Sequence, residues 1–179
     1  MKIFIVKRSS KNRKIKKSVE VISDIKNYLK KNNDAKLILN NFNINIKGKS
    51  YYEIIDGIYI LFDKDIDVAA KTIDGVMHLH KDLLDKSLET IIMRYVIHEL
   101  VHICQHIKSE NKEDLKSHNK NYLDNAEEIE AFRHQIKYDA DNRGKNEANK
   151  YIDDLLEHHK YPKNKRKEKK QELKKYLEE

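Results

Sequence analysis

The sequence predicts an α+β fold, and three observations carry that expectation. Short runs rich in β-branched and aromatic residues fall within about the first 80 residues, helical apolar periodicity governs the rest, and Gly (4) and Pro (1) are scarce. A β-rich half followed by helices is the α+β pattern. So few Gly and Pro leave little room for long irregular loops. At 179 residues the chain suits one domain with a real core. The spacing places that domain at residues 1–159, with Pro162 setting off a basic tail at 160–179.

The elements follow in order. "KIFIVK" reads as a short strand. "SVEVISDIKNYLKK" puts Val21, Ile22, Ile25, Tyr28 and Leu29 on one helical face. "KLILN-NFNINIKG" suggests two strands around an Asn-rich turn. "YYEII-DG-IYILF" reads as a hairpin, two β-rich runs about Asp56-Gly57. "GVMHLHK" is a further strand, with Val76, His78 and His80 on one face and Met77 and Leu79 on the other. A long helix runs from about Ser87, a plausible N-cap residue, to about Ile107. A polar loop follows, and then "AEEIEAFRHQIKYDADN" forms a helix ended near Gly144. "NEANKYIDDLLEHH" forms another, with Ala148, Tyr151, Ile152, Leu155 and Leu156 inward.

The long helix carries the chemistry. Its core, "RYVIHELVHICQH", holds three of the nine histidines, and two of them flank a glutamate as His-Glu-x-x-His: His98, Glu99 and His102. Residues four apart share a helix face. His98 and His102 can therefore aim their imidazoles at one cation, at Zn–N distances near 2.0–2.1 Å. Glu99 is rotated by about 100° from His98, which suits a proton acceptor beside the metal rather than a ligand. His106 lies about 12 Å along the axis from His98, too far to share one ion. Cys104 is expected to be a small buried hydrophobe.

A catalytic zinc takes three protein ligands and an open position. The downstream candidates are Glu128, which opens a Glu-x-x-Ala pattern ending at Ala131, and His118, with Glu127 and Glu130 adjacent to the first.

"HELVH" followed by "EIEA" resembles the gluzincin clan of zinc metallopeptidases. The longer "HELVHICQH…EEIEAFRHQIKY" is similar to small metallopeptidases of phages and other mobile elements, over about residues 75–156. The resemblance implies a small zincin-like domain with a short mixed sheet and hairpin, and a Zn²⁺ site of His98, His102 and Glu128. A rigid helix is also the better platform for a ligand. The other reading is a SprT-like site completed by His118. Phe132 stands where clan members often carry an acid that orients a ligand histidine. In the implied reaction Glu99 is the general base for hydrolysis of a peptide or protein substrate. His118, Tyr122 and His134 are the available oxyanion donors. By resemblance, "GVMHLH" sits where an edge strand pairs with substrate. His78 and His80 are expected to be surface or cleft histidines rather than a second metal pair.

The net charge of +7 is unevenly spread: residues 1–31 carry +9, residues 160–179 carry +5, and the middle −7. A basic-ended chain with an acidic body is not a uniformly basic nucleic-acid binder. Its ends offer a dock for an anionic partner, nucleic acid or an acidic assembly surface. A catalytically inactive zincin-fold binding or particle-associated protein using those ends is the alternative function. One cysteine excludes an internal disulfide framework. No run approaches the roughly 18 apolar residues of a membrane span, and the N-terminal apolar run is too short for a signal peptide core. The expectation is a cytoplasmic protein, or one associated with a phage particle.

Overall fold

The computed structural model describes residues 6–44, 46, 48–109 and 122–178. Among these, the chain is α+β, with seven α-helices and one three-stranded sheet.

Helix α1 (Val6–Lys31) buries Ile25 and Leu29, on the face that the periodicity indicates. Residues 2–5 of the expected first strand lie outside the described residues, and Val6 and Lys7 already belong to α1. The expected pair of strands near Leu37 is instead helix α2 (Asn33–Asn41) followed by a turn. Asn32 decides this locally, because its side chain accepts the Ala35 N–H at 2.9 Å and caps the helix. The buried set Ala35, Ile38 and Leu39 has helical spacing, which outweighs the short β-rich run.

The hairpin expected at Asp56-Gly57 also does not form. Tyr51–Gly57 is helix α3, opened by a capping box between Ser50 and Glu53. The Ser50 N–H donates to Glu53 Oε2 at 2.7 Å and the Glu53 N–H to Ser50 Oγ at 3.3 Å. A Ser-x-x-Glu box satisfies two orphan amides, and it prevails over the β propensity of Tyr and Ile. Only the second run survives as a strand, β1 (Ile60–Asp63).

The real hairpin joins β2 (Ala70–Ile73) to β3 (Val76–His80). It turns at another Asp-Gly pair, Asp74 and Gly75, with φ of 49° and 73°. Both central residues are left-handed, which lets the turn follow the strand twist. The sheet order is β1-β3-β2, with β1 and β3 parallel and β3 and β2 antiparallel. Strand β3 is therefore central, and the edge strand expected of "GVMHLH" is contradicted. The edges are β1 and β2. Met77 and Leu79 point into the core, and His78 and His80 lie on the other, half-buried face.

A π-helical turn (Leu88–Ile92) leads directly into α4 (Met93–Ser109), the long helix of the sequence. The Tyr138 hydroxyl donates to Glu89 O at 2.7 Å, tying that turn to α5 (Ala126–Arg143). Val96, Ile97, Leu100, Val101 and Cys104 of α4 are fully buried in a core shared with the sheet and α1–α3. Burial, and secondarily Glu130, pushes the Cys104 thiol up to about 12, so Cys104 is an inert packing group.

Helices α5, α6 (Lys145–His158) and α7 (Arg166–Lys174) close a second apolar cluster. Tyr161 and Leu173 of the basic C-terminal segment are buried in it beside Phe132, Ile136 and Ile152. The Lys169 ammonium is buried too, 3.0 Å from both Asp124 and Glu172. No helix among the described residues is long and apolar enough to cross a membrane.

Candidate metal centre

Helix α4 presents His98 and His102 on one side, and α5 packs across it to bring up Glu128. The His98 and His102 Nε2 atoms are 3.1 Å apart. Glu128 Oε2 lies 3.5 Å from the first and 3.4 Å from the second. These three donors form a group able to hold a metal ion. Four ligands at 2.0–2.1 Å about a tetrahedral zinc are separated by roughly 3.3–3.4 Å. The observed triangle has those edges to within a few tenths of an ångström.

Two further observations fit a cation there. Glu128 Oε2 is buried and has no hydrogen-bond partner among the described residues. A buried carboxylate oxygen without a donor needs compensating positive charge. Burial alone would raise the Glu128 carboxyl, yet contact with His102 and His98 holds it well below the usual carboxylate range. In turn, burial tends to lower His102, but Glu128 outweighs it and raises the imidazole, with help from Glu99 and Gln105.

Glu99 is not one of the three grouped donors and is 5% exposed. The Thr72 hydroxyl on edge strand β2 donates to Glu99 Oε2 at 2.8 Å. That hydrogen bond fixes the carboxylate beside the metal group instead of within it. Glu99, His102 and Glu128 open onto a cleft of about 580 Å³, also lined by Ala70, Lys71 and Thr72 of β2. A neighbouring recess shares Glu99, Tyr122 and His159 with it and reaches His98, Tyr95 and Tyr151.

Tyr122 borders both recesses, and the His159 ring stacks on it at 4.5 Å. Burial and the Glu128 charge raise the Tyr122 phenol, so it stays protonated and able to donate. Burial and His158 lower His159, which keeps that imidazole neutral near pH 7. Of the other oxyanion candidates, His134 is buried in α5 and does not line the cleft, and His118 lies outside the described residues. His106 lines the cleft mouth and packs so close to Gly75 that a Cβ there would sit 2.8 Å from its ring. His78 is taken by Asp63 at 2.9 Å, and His80 accepts the Asp82 N–H at 3.3 Å. Neither belongs to a metal-type cluster among the described residues.

Gln105, Thr72 and His159 are the site residues that sequence reading misses. Gln105 leaves a usable signal, because it follows His102 by one helical turn. Thr72 leaves none, since it reaches Glu99 through the unanticipated strand β2. His159 sits in an unremarkable His-His pair at the end of α6. Phe132 packs its ring 4.6 Å from that of His98.

Comparison of the chain with protein-family models, curated proteins and solved structures found no match.

Proposed function

We propose that the chain is a zinc-dependent peptidase of gluzincin type, with His98, His102 and Glu128 as ligands and Glu99 as general base. The observation that carries this reading is the donor triangle with edges of 3.1, 3.4 and 3.5 Å beside a separately held carboxylate. Two imidazoles and a carboxylate suit zinc better than magnesium or calcium, which prefer all-oxygen sites. The zincin-like character of the domain is part of the same proposal.

Zinc in such a site supplies a Lewis acid that brings the pKa of coordinated water towards about 7 and polarises a carbonyl. Glu99 accepts the proton of the attacking water and returns it to the departing amine nitrogen. The new C–O bond forms as the carbonyl π pair moves onto its oxygen, the C–N bond breaks when that pair returns and the nitrogen is protonated, and the products are a carboxylate and an amine. Tyr122 offers its hydroxyl to the carbonyl oxygen as negative charge builds there. Edge strand β2, which lines the cleft, is the strand suited to align an extended peptide.

Replacing Glu99 tests the reading. Glu99→Gln retains an oxygen to accept from Thr72, so fold and bound zinc should persist. Hydrolysis of a peptide library by the zinc-loaded protein should fall by about 100-fold or more. A variant that cleaves as fast as wild type removes Glu99 from the mechanism. A wild type that binds zinc and cleaves nothing favours a binding role.

A further inference from the structure

The hydrogen bonds of Gln105 leave no freedom in how its amide is oriented. On one side it faces the main-chain carbonyl of Glu127 at 3.0 Å and the Glu130 carboxylate at 3.2 Å. A backbone carbonyl only accepts, so the amide nitrogen must point there. The amide oxygen consequently points the other way, and it lies 2.7 Å from His102 Nδ1. That oxygen cannot donate, so His102 Nδ1 must carry the hydrogen. In the neutral ring this leaves the lone pair on Nε2, the atom 3.1 Å from His98 Nε2 and 3.4 Å from Glu128 Oε2.

The same amide grips α5 on both sides of Glu128, at the residue before it and the residue two after it. We propose that Gln105 is a positioning residue, a clamp that fixes the Nδ1–H tautomer of His102 and seats Glu128 against it before any metal arrives. This deepens the metal-site reading and rests on it for its purpose. His98 has no comparable device, for its Nδ1 is buried without a partner among the described residues. The clamp therefore acts on one histidine of the pair. It also supplies what Phe132 cannot, an acceptor behind a ligand histidine, and such outer partners matter for metal affinity.

The experiment has two readouts on the full-length chain. The first is the ¹⁵N imidazole NMR spectrum of metal-free protein at alkaline pH, where the rings are neutral. Wild type should show His102 as the Nδ1–H tautomer. Gln105→Leu, which keeps bulk but loses both functions, should shift it towards Nε2–H. Gln105→Glu should retain Nδ1–H, as an acceptor, while losing the grip on α5, since its second oxygen would face the Glu127 carbonyl and the Glu130 carboxylate. The second readout is zinc affinity against a chromophoric chelator. It should fall about 10- to 100-fold in Gln105→Leu, with denaturation midpoints checking that the variant is folded.

A wild-type Nε2–H tautomer would overturn the proposal. So would a Gln105→Leu protein with unchanged tautomer, even if its zinc affinity falls, because Gln105 would then serve packing alone. If wild type takes up no zinc, the peptidase reading fails, while the tautomer comparison still decides the clamp.

Discussion

Truncating Leu173 to alanine should destabilise the whole domain, although the residue lies in the basic C-terminal segment. Leu173 is 1% exposed and packs in the cluster that contains Phe132, Ile152 and Leu155. Leu173→Ala removes three carbons, worth about 2.4 kcal/mol at roughly 0.8 kcal/mol per buried methylene. A residual cavity adds to this, so the expected loss is about 2.5–4 kcal/mol. For a chain of this size that is a fall in Tm of roughly 5–15 °C. Exposed Lys174 is the control, and Lys174→Ala should stay within about 0.5 kcal/mol of wild type. The assay is denaturant unfolding of both variants at fixed metal and pH. The consequence reaches the site, because Phe132 touches His98, and Lys169 and Tyr161 both hold Asp124, two residues from Tyr122. Equal midpoints for the two variants would refute the reasoning and make the segment a detached arm.

Metal-free stability should depend on pH in a defined direction. The depressed Glu128 contributes stability that is present above its unfolded pKa and lost as pH falls through its lower folded value. The raised His102 contributes stability that is complete below its unfolded pKa and lost as pH rises through its higher folded value. The advantage of wild type over Glu128→Gln should therefore peak between about pH 4.5 and 6.5. Denaturation midpoints across pH 4–9 in chelator check this, and an advantage that is constant with pH would contradict it. A separate expectation concerns the exposed Lys167, Lys174 and Lys175. If the basic end docks on an anionic partner, changing all three to glutamine should lower the salt needed for elution from a polyanion column and leave peptide cleavage unchanged. Elution at the same salt would exclude this surface. Glutamine substitution is the right test because deleting the segment would also remove Leu173.

How much was legible in the sequence depended on which rule governed each stretch. The helices α4, α5 and α6 and the strand β3 carry long or strictly alternating patterns, and Ala148, Ile152, Leu155, Leu156, Met77 and Leu79 are buried as expected, with Tyr151 half-buried. Asn32 and Ser50 are cap-forming residue types, but the β-rich wording beside them points to strands and conceals the helices they start. Asp-Gly was the correct hairpin signal applied to the wrong pair. At Asp56-Gly57 a capping box had already committed the preceding residues to a helix, whereas at Asp74-Gly75 the flanking runs were free to pair. Within the site, His98, Glu99 and His102 follow from helical spacing alone. Glu128 needed a second helix at the right height, Thr72 needed a tertiary contact that no local pattern encodes, and Gln105 was legible towards His102, one turn away, but not in its grip on α5.

On the proposed reading, His98, His102 and Glu128 together hold one zinc ion. Elemental analysis of protein purified without added metal tests it directly, with variants processed in parallel. Wild type and His118→Ala should carry about one zinc per chain, as a three-ligand site with an open position would. His98→Ala/His102→Ala and Glu128→Ala should lose it. Full occupancy in the double histidine variant would contradict the site, and loss in His118→Ala with retention in Glu128→Ala would move the third ligand to His118.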